Sequence, residues 1–124
     1  NGSSLGAMFA VYGAKGLAFE FGGWIFIHGV TELFAIILAA AAGLRIGWSI
    51  AFPGERTRLG AAAEAGKEGG AIMVGVVIML FIAGLLEGIA RQVITVDWAR
   101  WSIAMFTLLA WTTYFYAPWQ RVKR

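Results

Sequence analysis

Four ionisable residues lie within or beside long apolar stretches, and their types and spacing could support chemistry. His28 and Glu32 are four residues apart, and so are Glu87 and Arg91. Residues four apart share one face of a helix, so each pair is expected to lie side by side. Charged groups in an apolar environment are costly unless they are paired or wetted, which makes these residues a predicted polar cluster.

Three roles are open to the polar cluster of His28, Glu32, Glu87 and Arg91. His28, Glu32 and Glu87 could hold a divalent metal, although the HxxxE spacing lacks the second histidine of HExxH. A glutamate could instead carry protons in a coupled transporter, with His28 as its relay partner. We favour the third role, in which these side chains hold helices together and Arg91 is the counter-ion of Glu87. No metal and no cofactor is therefore expected.

Other residue patterns argue against an enzyme or a nucleic-acid-binding protein. The chain has no cysteine, and Ser49 and Ser102 are expected to lie away from the only histidine. Neither a P-loop nor a GxGxxG motif before a helix is present. The net charge of +3 comes with one basic cluster, in a predicted cytoplasmic tail over 119–124, and with no aromatic-interleaved basic face.

The composition predicts a membrane protein. Apolar residues make up 60% of the chain and charged residues 14%, with a mean hydropathy of +0.74, whereas soluble domains are about a quarter charged. A helix needs roughly 20 apolar residues to cross a bilayer, and three runs qualify, over 24–52, 71–89 and 101–118. We expect an all-α, polytopic bundle of three transmembrane helices forming a single domain over 1–124.

A shorter apolar stretch over 5–19 precedes these spans, and it is interrupted by glycines and Lys15. It could end a truncated span, form a re-entrant helix or lie in the membrane interface. We expect a short helix buried against the others.

The charged residues between the spans predict an orientation. Residues 53–70 read as a cytoplasmic linker with a short helix over 59–67, because they and the tail hold most of the Lys and Arg. The C-terminus is then cytoplasmic, in a bacterial or archaeal cytoplasmic membrane. Arg45 is expected to extend to the inner headgroups, with Glu64 and Glu68 as alternative partners.

Tryptophans and small residues complete the predicted membrane architecture. Tryptophans concentrate at membrane boundaries, so we expect interface anchors at Trp24, Trp98 and Trp101 outside and at Trp48 and Trp119 inside. Small residues four apart allow close helix packing. They are Ala35, Ala39, Gly43 and Gly47 in the first span, and Gly84 and Gly88 in the second.

The order of these residues resembles that of the stage II sporulation protein M family. The matching segments are HGVTELFAI over 28–36, GLRIG over 43–47, FPG over 52–54 and AGLLEG over 83–88. The start of the chain, NG followed by LG over 5–6, is similar to the segment that precedes these motifs in the family. The resemblance implies that the chain is the C-terminal part of a longer protein with further helices upstream.

The resemblance also implies a direction for the function. In sporulating bacteria the family is similar to a membrane anchor for peptidoglycan-degrading proteins, and relatives elsewhere have no settled activity. Our leading hypothesis is a non-catalytic membrane scaffold whose partners are the lipid bilayer and other membrane proteins in a hetero-oligomeric complex. An ion- or proton-coupled transporter that uses the intramembrane glutamates is the alternative.

Overall fold

The computed structural model describes residues 2–117, apart from the side chain of Arg91. In this part of the chain every regular element is a helix. The helices are α1 (Gly2–Ala14), α2 (Ala18–Ala51), α3 (Arg58–Leu85), α4 (Arg91–Val93) and α5 (Asp97–Tyr116), with a π-helical turn at Leu86–Ala90 between α3 and α4. The predicted all-α fold class is confirmed.

Local residues explain where the first three helices begin and end. Gly16 has φ +75 and closes α1, because its N–H bonds Gly13 and the N–H of Leu17 bonds Tyr12, an arrangement that requires a left-handed residue. Pro53 cannot continue α2, and Gly54 turns the chain at φ +63. The side chain of Thr57 then caps α3 by accepting a 3.1 Å hydrogen bond from the N–H of Gly60.

Two helical segments are long and apolar enough to cross a membrane, Ala18–Ala51 and Arg58–Ala90. In their most apolar stretches only 28% and 22% of residues are buried inside the protein. A helix from the core of a soluble protein would be mostly covered, so the exposed apolar surface favours lipid as its surroundings. The predicted third span over 101–118 corresponds to α5, which is not among the two, and its crossing stays a prediction.

Two details of the predicted helices need correction. The short linker helix over 59–67 is not separate but forms the first turns of α3, because its glycines do not interrupt the helix. The N-terminal helix was expected to be buried, yet α1 has no buried residue. It meets the start of α2 through two aromatic side chains, with Phe9 edge-on to Phe21 at 4.8 Å and Tyr12 stacked on Phe21 at 4.3 Å.

The chain has two compact units, and the first comprises residues 2–30 and 84–117. Aromatic rings join the start of α2 to α5 in this unit. Trp101 lies 5.8 Å from the ring of Phe19 and 5.7 Å from that of Phe26, and its Nε1 donates a 3.1 Å hydrogen bond to the carbonyl of Phe19. Arg100 anchors the loop before α5 by donating to the carbonyl of Ile94 at 2.8 Å and to Asp97 at 3.0 Å.

The second unit comprises residues 31–83, in which α2 packs against α3. Small residues bring the helices together: a Cβ on Gly69 would lie 3.2 Å from the side chain of Ile46. Ser49 donates to the carbonyl of Ala61 at 3.3 Å. At one end of this contact Arg45 pairs with Glu68 and Arg56 pairs with Glu64, all four side chains being more than half exposed.

Candidate functional site

His28 lies on the buried side of α2. It is only 7% exposed, and two nearby residues of the same helix, Ile27 and Thr31, are fully buried. Other faces of the same helix carry large apolar side chains that remain exposed, such as Leu33 at 54%. The imidazole is thus largely shielded from the surroundings of the protein, so its ring nitrogens must find partners inside it.

Glu87 reaches His28 from the π-helical turn at Leu86–Ala90. Both residues belong to the first unit, and a carboxylate oxygen of Glu87 lies within 4.8 Å of a ring nitrogen of His28. A π turn inserts one extra residue into a helix and rotates the side chains that follow, and such turns are frequent at functional sites. The irregular turn therefore contains Glu87, whose carboxylate approaches the histidine from another helical segment.

Glu32 follows His28 by one turn on the same continuous helix. One of its carboxylate oxygens also lies within 4.8 Å of a ring nitrogen of His28. Both glutamates are more exposed than the histidine. The imidazole consequently has two carboxylates within reach, one from its own helix and one from the π turn.

The histidine has one unsatisfied nitrogen. Its Nδ1 is buried and has no hydrogen-bond partner among the described residues. Burying a polar atom without a partner costs about 1–3 kcal/mol, so such atoms call for an explanation. This nitrogen could take up a proton, donate to a carboxylate after a small rotation, or bind a metal ion.

Three residues of the predicted polar cluster, His28, Glu32 and Glu87, have ligand atoms within 4.8 Å of one another. The predicted role of Arg91 as counter-ion lies outside the described side chains, as do Trp119 and the basic tail over 119–124. The structural, proton and metal roles of the cluster remain alternatives at this point.

The predicted packing residues are only partly buried within the chain. Ala35 is fully buried and Ala39 is half-buried, whereas Gly43 and Gly47 are exposed with open space around them. Gly84 and Gly88 are likewise exposed, with nothing within 4 Å of a Cβ placed on them. Within residues 2–117, therefore, none of the four glycines has another helix packed against it.

The contact surface that the structure uses was missed in the sequence. It combines Ala42 of α2 with Ala61, Ala65 and Gly69 of α3, all of them buried. The signal was visible, because these α3 residues repeat every four positions. These residues lie in or beside the predicted short helix over 59–67 of a cytoplasmic linker, for which the sequence predicts no packing against a membrane span.

The tryptophans divide into exposed and enclosed side chains. Trp24, Trp48 and Trp98 are exposed at 38%, 69% and 73%, which suits anchors at a membrane boundary. Trp101 is half-buried and packs inside the first unit. The side of the membrane that each tryptophan faces stays a prediction.

Each unit also has a surface cavity that sequence reasoning did not identify. In the first unit a cavity of about 300 Å³ lies beside α1 and the start of α2, and its lining includes Tyr12, Glu20, Phe21, Trp24 and Arg100. In the second, a cavity of about 420 Å³ is lined by Arg45, Trp48, Ser49, Glu64 and Glu68 among others. The arginines and glutamates of the second cavity already neutralise one another.

Two long apolar helices whose surfaces are largely exposed indicate a helical membrane protein. A family model for stage II sporulation protein M matches residues 1–90 of the 124, so the chain belongs to that family. The matched residues include both helices that are long enough to cross a membrane and all of His28, Glu32 and Glu87. No curated protein and no solved structure is significantly similar to the chain.

Proposed function

We propose that this protein is a non-catalytic membrane scaffold or accessory subunit that positions partner proteins in the bilayer. The observation that carries the proposal is the exposed glycine face of α2. Gly43 and Gly47 are one turn apart, exposed, and have nothing within 4 Å of a Cβ placed on either. Membership of the stage II sporulation protein M family agrees with this role.

Physical chemistry explains why such a face suits a partner helix. In lipid there is little hydrophobic driving force between helices, so association depends on close backbone approach and van der Waals contact. Gly43 and Gly47 create a shallow groove, and Leu44 and Trp48 beside them are 75% and 69% exposed. A transmembrane helix of another protein would contact the glycine backbone and pack against these two large side chains.

The expected partners are other membrane proteins, in a cytoplasmic membrane with the C-terminus on the cytoplasmic side. The orientation is supported by the basic residues of the 53–70 segment and of the tail. No nucleic acid is expected among the partners, since basic residues are few and form no aromatic-interleaved face.

Co-isolation from native membranes in mild detergent tests the scaffold. A Gly43→Leu/Gly47→Leu double variant should lose at least about tenfold of the partner protein that accompanies the wild type, because the new side chains fill the groove. A Gly70→Leu/Gly75→Leu variant is the control, since both glycines also have open space around them but are not one turn apart. A wild-type chain that always isolates alone would refute the proposal.

A transporter is the second candidate, because His28 and Glu87 bring titratable groups together on apolar helices. Reconstituted vesicles should then show ion or proton flux that Glu32→Gln and Glu87→Gln each reduce at least about tenfold, since a relay fails when one carrier cannot ionise. Glu64→Gln serves as control, because Glu64 is exposed and paired with Arg56. Flux that is the same in all four proteins would eliminate this candidate.

A further inference from the structure

We propose that His28 and Glu87, with Glu32 one turn beyond His28 on the same helix, bind a divalent transition-metal cation of the Zn²⁺ class. The proposal goes beyond the scaffold role and does not depend on it. It starts from the donor atoms, one imidazole nitrogen and carboxylate oxygens that lie within 4.8 Å of it. Mixed nitrogen and oxygen donors suit Zn²⁺ and its neighbours, whereas Mg²⁺ and Ca²⁺ prefer oxygen alone.

The unsatisfied nitrogen of His28 is the second, independent observation. The side chain is more than nine-tenths buried, and its Nδ1 has no hydrogen-bond partner among the described residues. A neutral imidazole nitrogen with an available lone pair is the form in which histidine binds metals. A cation bound at Nδ1 would satisfy a buried atom that has no partner within residues 2–117.

The distances are compatible with a site that closes when the cation binds. Zn–N and Zn–O bonds of about 2.0–2.2 Å place neighbouring ligand atoms roughly 3.4 Å apart in a tetrahedral site. The ligand atoms now lie within 4.8 Å of the histidine, so a shift of little more than 1 Å suffices. Glutamate has three rotatable side-chain bonds, and neither glutamate is fully enclosed, so both can make this adjustment.

The π-helical turn is a further feature of the site. Glu87 lies within this turn, at Leu86–Ala90, and its carboxylate is within 4.8 Å of a ring nitrogen of His28; such turns are frequent at functional sites. Three protein ligands leave a fourth coordination position for water or for a group from a partner protein.

Zinc titration of the purified full chain, isolated without a polyhistidine tag and stripped by chelator, tests the site. A competing chromophoric chelator should report one tightly bound Zn²⁺ per chain, and Zn²⁺ should raise the unfolding temperature. Glu87→Gln and Glu32→Gln should each weaken Zn²⁺ binding at least about tenfold, because an amide oxygen carries no charge. His28→Ala should remove the tight binding.

Two controls keep the test decisive. Glu20→Gln changes a carboxylate of the same helix that lies outside the cluster, and should bind Zn²⁺ as the wild type does. If His28→Ala fails to fold, the two glutamine variants, which preserve side-chain shape, still decide the result. Equal Zn²⁺ affinity in the wild type and both glutamine variants, or no tight binding at all, overturns the proposal. Loss of co-isolated partner proteins would count against the scaffold role but would not overturn the metal site, because metal binding is measured on the isolated chain.

Discussion

A Gly22→Ala variant should be less stable than the wild type by about 1–3 kcal/mol, the usual cost of overpacking. A Cβ at this position would lie 2.7 Å from Cζ2 of Trp101, closer than such atoms approach. The indole cannot move aside cheaply, because its Nε1 is bonded to the carbonyl of Phe19 and its ring contacts Phe26. Reversible unfolding in mixed detergent micelles measures the difference.

The sign of this effect is what makes it informative. Replacing a mid-helix glycine with alanine normally stabilises a helix by about 0.5–1 kcal/mol. Gly43→Ala is therefore the matched control, since Gly43 lies on the same helix with nothing within 4 Å of its Cβ. The control should be neutral or slightly stabilised. Equal stability of the two variants would contradict the close approach of α2 and Trp101.

The helix class and several helix ends could be predicted because their causes are local. Pro53 and Gly54 end α2 where the sequence indicated, and the apolar runs form helices. The start of α3 was misjudged for a physical reason. The sequence predicts a separate short helix over 59–67, whereas packing of Gly69 against α2 lets the helix continue without a break into the second apolar run.

The packing face of α2 shows a different limit. Residues exactly four apart drift by about 40° per step around a helix of 3.6 residues per turn. The predicted row from Ala35 to Gly47 therefore leaves the buried side, while Ala42 stays on it. Because residues 39–42 are all alanine, every face of that turn looks equally small, and the sequence alone does not select one.

The candidate site was predictable in part. Spacing alone puts Glu32 beside His28 on one helix, whereas the approach of Glu87 was inferred from the expected orientation of the spans. The π turn that contains Glu87 and the unsatisfied Nδ1 depend on how the helices meet. Neither leaves a periodic pattern in the chain, so neither could be predicted from the sequence.

Trp101→Ala should destabilise the protein by about 3 kcal/mol, near the lower end of the range for removing a packed aromatic side chain. The variant loses ring contacts with Phe19 and Phe26 at 5.8 and 5.7 Å, together with the hydrogen bond to the carbonyl of Phe19. The lower end is expected because lipid or detergent can cover part of the newly exposed surface. Unfolding in mixed micelles, with far-UV circular dichroism as the signal, measures the loss.

Trp98→Ala is the matched control for this prediction. Trp98 lies one turn earlier on α5 and also contacts Phe19, at 5.0 Å, but it is 73% exposed. Its removal should cost only about 1 kcal/mol, the value of one aromatic pair. Trp101→Phe divides the effect further, because it retains a ring but lacks the N–H and should lose about 1 kcal/mol for the hydrogen bond. If Trp98→Ala is as damaging as Trp101→Ala, both tryptophans act mainly through the surrounding membrane, and the aromatic contacts between α2 and α5 are not what stabilises the first unit.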